Sequence, residues 1–183
     1  MTAFTEKKLS TKRLYEGRVI NLRVDTVSLP GGQTAIREVV EHAGAVAIVP
    51  VNEKGEILLV KQYRYAAGKI LLEIPAGKLE PGENPLDCAR RELLEETGYD
   101  AGGCERLISF YSTPGITNEI LHLFLATGLT QKEQNLDDEE YIEVVTVPFD
   151  RAIGLIWEGA ICDAKTVAGI LAAHYRQNNR AGA

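Results

Sequence analysis

Apolar residues recur along this chain with two periods. From Gly17 to Leu29 they alternate with polar ones at Val19, Leu22, Val24 and Val27, with one slip, which is strand spacing. Pro30-Gly31-Gly32 is a turn signal, and TAIREVVEH after it reads as a returning strand. Residues 1 to about 16 show no alternation and read as a polar lead-in. From Gly44 the text grows more apolar. AVAIVPV and EILLVKQYRY flank a polar turn at Asn52-Glu53-Lys54-Gly55, and ILLEIPAG is a further strand broken by Pro75. Strands follow near ERLISFY and EILHLFLAT, and IEVVTV closes the series after the acidic stretch QKEQNLDDEE.

The helical period appears three times. The first helix is punctuated by Asn84 as a cap, Pro85 in the first turn and Gly98 as a stop. Leu86, Ala89, Leu93 and Thr97 form its apolar side, and Glu92 and Glu96 lie one turn apart with Glu95 at the border. Residues 149–158 and 163–178 are the other two, with Asp163 as a cap and Trp157 as a packing anchor. Strands interleaved with helices and joined by short turns predict an α+β fold with a mixed sheet flanked by helices. The expected division is an N-terminal β arm over 1–43, dimerising through its hairpin, and a main domain over 44–183.

Composition narrows the function. Twenty Lys and Arg against 26 Asp and Glu give 20 − 26 = −6, which argues against a nucleic-acid binder. A small anionic substrate stays open, because a few local cations or a bound metal reverse the sign within a pocket. No apolar run approaches the roughly 20 residues that span a bilayer, and the polar N-terminus lacks a signal-peptide core. Cys88, Cys104 and Cys162 are too few and too scattered for a disulfide framework or a zinc site, so the expected location is the cytoplasm. His42, His122 and His174 share no ligand spacing.

The candidate chemistry lies on the first helix. One Arg91 does not neutralise Glu92, Glu95 and Glu96, and clustered carboxylates suit a hard divalent ion such as Mg²⁺ or Mn²⁺. A solvated acidic face is the plainer explanation of an isolated E-L-L-E-E run. The wider spacing decides between them. Gly77, Glu83, Arg91, Glu92, Glu95, Glu96 and Gly98 fit G-x5-E-x7-R-E-U-x-E-E-x-G-U, where U is bulky and apolar. Seven fixed positions at roughly 6% each match by chance on the order of once in a million chains of this length.

This segment resembles the Nudix box; Tyr99, where the family more often has an aliphatic residue, is a departure that touches packing. KQYRYA, EIPAGKLEPGE and STPGITNE, with Pro114 lying 15 residues after Tyr99, further resemble the ADP-ribose pyrophosphatase subgroup. The resemblance implies an α/β/α sandwich and Mg²⁺-dependent hydrolysis of ADP-ribose to AMP and ribose 5-phosphate by a metal-activated water. It implies metal ligands at Glu92, Glu96, Glu95 and the carbonyl of Ala76, with Glu140 as a further ligand or general base. Glu139 and Asp138 compete with Glu140 for the base, and Glu95 is a further catalytic candidate. Gly77, Glu83, Arg91 and Gly98 become structural members of the motif, with Glu83 buttressing Arg91. Arg37 and Arg64 are candidates for the pyrophosphate, since arginine's fork matches phosphate oxygens. Glu119 is a candidate for the terminal ribose, and the adenine is expected near Arg18, Val19 or Ile20. The resemblance also implies a homodimer with exchanged N-terminal strands. Rival expectations are hydrolysis of GDP-mannose, ADP-glucose or NADH, and a non-catalytic ADP-ribose-binding module.

Overall fold

The computed structural model describes residues 4–136 and 140–180. The chain divides into two compact units, Met1–Gly44 with Tyr111–Ile120, and Ala45–Phe110 with Leu121–Ala183.

The first unit is an antiparallel sheet of β1 (Lys7–Glu16), β2 (Asn21–Ser28) and β3 (Thr34–Glu41). β2 and β3 are the expected hairpin. β1 replaces the expected lead-in: its pairing with β2 slips between Lys8 and Ser10 and again between Arg13 and Tyr15, which erases the period of two. Every residue of β1 is exposed, so backbone pairing rather than burial defines it. Asp25 is buried under this sheet, where it accepts from Thr11 at 2.5 Å and pairs with Arg23. The 111–120 segment joins at Val40, whose N–H donates to the Ile116 carbonyl at 2.8 Å.

The second unit is organised by β4 (Ala45–Pro50). Its inward residues alternate between two cores, Val46 and Ile48 in one, Ala47 and Val49 in the other. That parity places helices on both faces of the sheet β7-β4-β9-β8, where β7 is Ala76–Lys78, β8 Tyr99–Tyr111 and β9 Ile120–Gln131. α1 (Pro85–Thr97) packs on the first core through Cys88, Ala89 and Leu93. α2 (Phe149–Trp157) and α3 (Ala164–Arg180) pack on the second through Phe149, Ala152, Ile170 and Ala173. β4 and β9 are parallel, and the long connection that parallel neighbours need carries α1. A second sheet orders β10 (Ile142–Pro148), β5 (Glu56–Arg64) and β6 (Lys69–Glu73). Pro75 interrupts ILLEIPAG so that its halves enter different sheets, β6 and β7.

The expected caps form. Asn84 accepts from the Leu86 N–H at 2.9 Å, Gly98 stands at φ 72°, and Asp163 accepts from the Thr166 N–H at 3.0 Å. Two apolar expectations are corrected. Leu86 lies at the helix start with 36% exposure, and the buried place goes to Cys88. Trp157 is 78% exposed, because five residues at about 100° each turn it roughly 140° away from buried Ala152.

Candidate active site

α1 presents its acids at the edge of the β7 strand. Gly77 passes so close that a Cβ there would stand 1.8 Å from the Glu92 carboxyl carbon, so any larger residue would push the Glu92 carboxylate out of its present place. One residue earlier, the Ala76 N–H donates to the Glu96 carboxylate at 3.0 Å. The result is a cavity of about 330 Å³ lined by Ala76, Gly77, Lys78, Glu92, Glu95 and Glu140. Glu140 comes from the stretch before β10, far along the chain from the box, and reaches the same cavity.

Arg91 organises the acids. Its Nε and Nη2 donate to the two Glu83 oxygens at 3.0 and 3.1 Å, and its Nη1 donates to Glu92 at 2.8 Å and Glu95 at 2.9 Å. The guanidinium holds Glu83 down to about 2, against the opposing effect of burial. Glu92 and Glu96 go the other way. Burial pushes Glu92 up to about 7, with Arg91 opposing and Glu95 and Glu140 adding. Burial likewise pushes Glu96 up to about 8, with the Ala76 N–H opposing and Glu92 and Glu140 adding. Burial also raises the Cys88 thiol to about 12.

Two sheltered carboxylates that resist ionisation alone gain most from a positive charge beside them. Their oxygens, and the space that Gly77 leaves beside Glu92, fit a hard divalent cation. Among the described residues no three acidic, histidine or cysteine side chains converge as a closed ligand cluster. Arg91 Nη1 instead binds both Glu92 and Glu95.

The remaining candidates are distributed as follows. Arg64 donates to both oxygens of buried Glu73, at 2.9 and 2.8 Å, so its fork faces a carboxylate. Lys165 binds the same carboxylate and also Asp163 at 2.9 Å. Arg37 and Glu119 belong to the first unit. Arg37 pairs with Glu6 at 2.5 Å and borders a cavity of about 480 Å³ with Tyr111, Pro114 and Gly115. The Glu119 carboxylate lies 3.4 Å from His42 Nδ1, which already accepts from the Gly44 N–H. Val19 and Ile20 are exposed. Glu139 and Asp138 lie outside the described residues. Lys78 was not singled out from the sequence, although its place directly after Gly77 is the signal that could have found it.

A family model described as a NUDIX domain matches residues 40–169. The chain belongs to the Nudix family. Residues 6–40 match a second model, the nucleoside diphosphate sugar hydrolase N-terminal domain. The chain is 46% identical to a methanol dehydrogenase activator of Bacillus methanolicus, over 91% of each chain. It is 42% identical to an ADP-ribose pyrophosphatase of Bacillus subtilis strain 168, over 93% of each. A crystal structure of an ADP compounds hydrolase superposes with a TM-score of 0.87 at 19% identity, covering 98% of both chains, which establishes the fold. Gly77, Glu92, Glu95 and Glu140 fall within the matched residues, and the family implies a divalent metal. Among the described residues no helix is long and apolar enough to cross a membrane.

Proposed function

We propose that this Nudix protein hydrolyses ADP-ribose to AMP and ribose 5-phosphate, with Mg²⁺ as its divalent cation and Mn²⁺ as a substitute. The observation that carries this reading is the Gly77–Glu92–Glu140 cavity, where half-buried Glu92, its proton affinity raised by burial, meets Glu95 and a further carboxylate from outside the box. The 42% identity to an ADP-ribose pyrophosphatase along nearly the whole chain supports the substrate.

Glu92 and Glu96 would hold the cation, with Glu95 and the Ala76 carbonyl assisting. Charge neutralisation on the phosphate oxygens and acidification of a water are what a bound cation supplies. Arg91 fixes the carboxylates, and Lys78 presents a mobile positive charge to the diphosphate. Glu140 takes the proton of the attacking water. Water adds to one phosphorus, the bridging P–O bond breaks, and the bridging oxygen leaves with the other phosphate. Arg64 serves as a phosphate contact.

The exposed apolar residues of the N-terminal sheet, Leu9, Leu14, Tyr15 and Ile36, support a homodimer with exchanged N-terminal strands. Three free cysteines support a cytoplasmic location.

The test is turnover of ADP-ribose, ADP-glucose, GDP-mannose and NADH at equal concentration with Mg²⁺. Preference for ADP-ribose supports the proposal. Preference for GDP-mannose or NADH keeps the site and discards the substrate, and binding of ADP-ribose without turnover of any makes it a sensing module. The name of the Bacillus methanolicus relative favours a second reading, in which the chain raises methanol dehydrogenase activity. Adding the protein to a methanol dehydrogenase assay with Mg²⁺ tests it.

A further inference from the structure

Glu73 is a carboxylate shut away from water. Its side chain is 1% exposed, at the end of β6, where its backbone pairs with Val60 of β5. A buried carboxylate needs a charged partner to stay ionised, and this one has two. Arg64 donates to both of its oxygens, through Nε at 2.9 Å and Nη2 at 2.8 Å. Lys165 Nζ binds it from the first turn of α3.

Fastening α3 does not require the arginine. The Thr166 hydroxyl accepts from the Ile74 N–H at 3.0 Å, and Lys165 joins Glu73 to Asp163, the cap of the same helix. What Arg64 gains from Glu73 is a fixed direction. A guanidinium carries its N–H donors in a rigid plane, and Glu73 occupies the edge formed by Nε and Nη2. Nη1 donates to no described residue, and the Arg64 side chain is 40% exposed, so this donor is open to a ligand while the carboxylate behind it is not. The acids of α1 are near. Further along the chain from Glu73, the Ala76 N–H donates to the Glu96 carboxylate at 3.0 Å. Arg64 is held protonated chiefly by its bond to Glu73, against burial, and Glu96 adds to this, so the guanidinium stands within electrostatic reach of that helix.

We propose that Glu73 is a positioning residue for hydrolysis: its carboxylate grips one edge of Arg64 and presents Nη1 to the diphosphate beside the α1 carboxylates. The proposal rests on the reading of Arg64 as a phosphate contact. Without Glu73 the arginine is a flexible side chain, and the substrate must bear the cost of ordering it.

Glu73→Gln replaces one of the two carboxylate acceptors by an amide donor. Lys165→Met takes the other cation from the same carboxylate and leaves the Arg64 grip in place. Both variants are expected to have a lowered melting midpoint, so kinetics with ADP-ribose and Mg²⁺ are measured well below it. In Glu73→Gln, kcat/KM falls roughly tenfold or more, as for other orienting partners. In Lys165→Met it stays within about twofold of the wild-type value. In an Arg64→Ala background, Glu73→Gln costs no further kcat/KM, because both changes act through one guanidinium. Nitrogen-15 relaxation at the Arg64 Nε–H reads the grip without turnover, and its order parameter falls in Glu73→Gln but not in Lys165→Met. Unchanged kcat/KM in Glu73→Gln overturns the proposal. So does an equal loss in Lys165→Met, or a loss that persists in the Arg64→Ala background, since either makes the carboxylate a stabilising group alone. An inactive wild-type protein sinks the hydrolase reading instead. The order parameter then decides the grip by itself, and an unchanged value in Glu73→Gln overturns it.

Discussion

Arg91 touches Glu83, Glu92 and Glu95 at once, and the consequences differ by burial. Glu83 is held ionised, whereas Glu92 and Glu96 resist ionisation because they are sheltered. The two sheltered acids are the ones a cation would stabilise most. Glu92→Gln is therefore expected to lower kcat/KM for ADP-ribose by at least about 100-fold, more than loss of an orienting partner. Isothermal titration with Mg²⁺ should show weakened binding in the same variant. Glu73 behaves differently. Burial pushes its carboxyl up, but Arg64 and Lys165 outweigh that and hold it below its ordinary value of 4.5. Its contribution to stability is complete above that value and is lost as pH falls through the lower, folded one. Melting followed from pH 7 to pH 3 should show a steep acid decline in the wild type and a shallower one in Glu73→Gln. At pH 7 the variant should be less stable by about 2–3 kcal/mol, because Lys165 and Arg64 lose their shared partner.

At the scale of elements, the site is a helix against a strand, with glycine at the crossing. Gly77→Ala places a methyl group in the space of the Glu92 carboxylate. The expected outcome is a loss of turnover of about 100-fold or more with a stability cost of about 1–3 kcal/mol, read by kinetics and denaturant melts on one preparation. A variant with normal kcat would show that β7 yields and that the close approach is unimportant. Much of this was readable in the sequence. The spacing of Gly77, Glu83, Arg91, Glu92, Glu95, Glu96 and Gly98 carries the box, and Asn84, Pro85 and Gly98 mark the ends of its helix. β1 was not readable, because two register slips remove its alternation and none of its side chains is buried. The stretch 132–135 that ties to the end of α1 was not readable either. It is tied mostly by backbone groups, which every residue has, and by one glutamine with nothing in its neighbourhood to distinguish it.

For the whole molecule, the first unit carries apolar residues it does not bury. Leu9, Leu14, Tyr15 and Ile36 are 53%, 51%, 56% and 58% exposed in the single chain. Burial between copies would remove that surface from water and stabilise a dimer. Sedimentation at micromolar concentration should show a dimer in the wild type. Leu14→Glu combined with Ile36→Glu should shift it toward monomer, and a wild-type monomer would remove the exchanged-strand arrangement. Residues 6–40 match a nucleoside diphosphate sugar hydrolase N-terminal domain and residues 40–169 a NUDIX domain. The proposed reaction is hydrolysis of ADP-ribose at the α1 carboxylates. The most direct test is chromatographic detection of AMP and ribose 5-phosphate from ADP-ribose, with Mg²⁺, with EDTA, and with Glu92→Gln. Equimolar products are expected from the wild type with Mg²⁺, and almost none with EDTA or in the variant. Undiminished product in EDTA or from Glu92→Gln, or no product from the wild type, would contradict it.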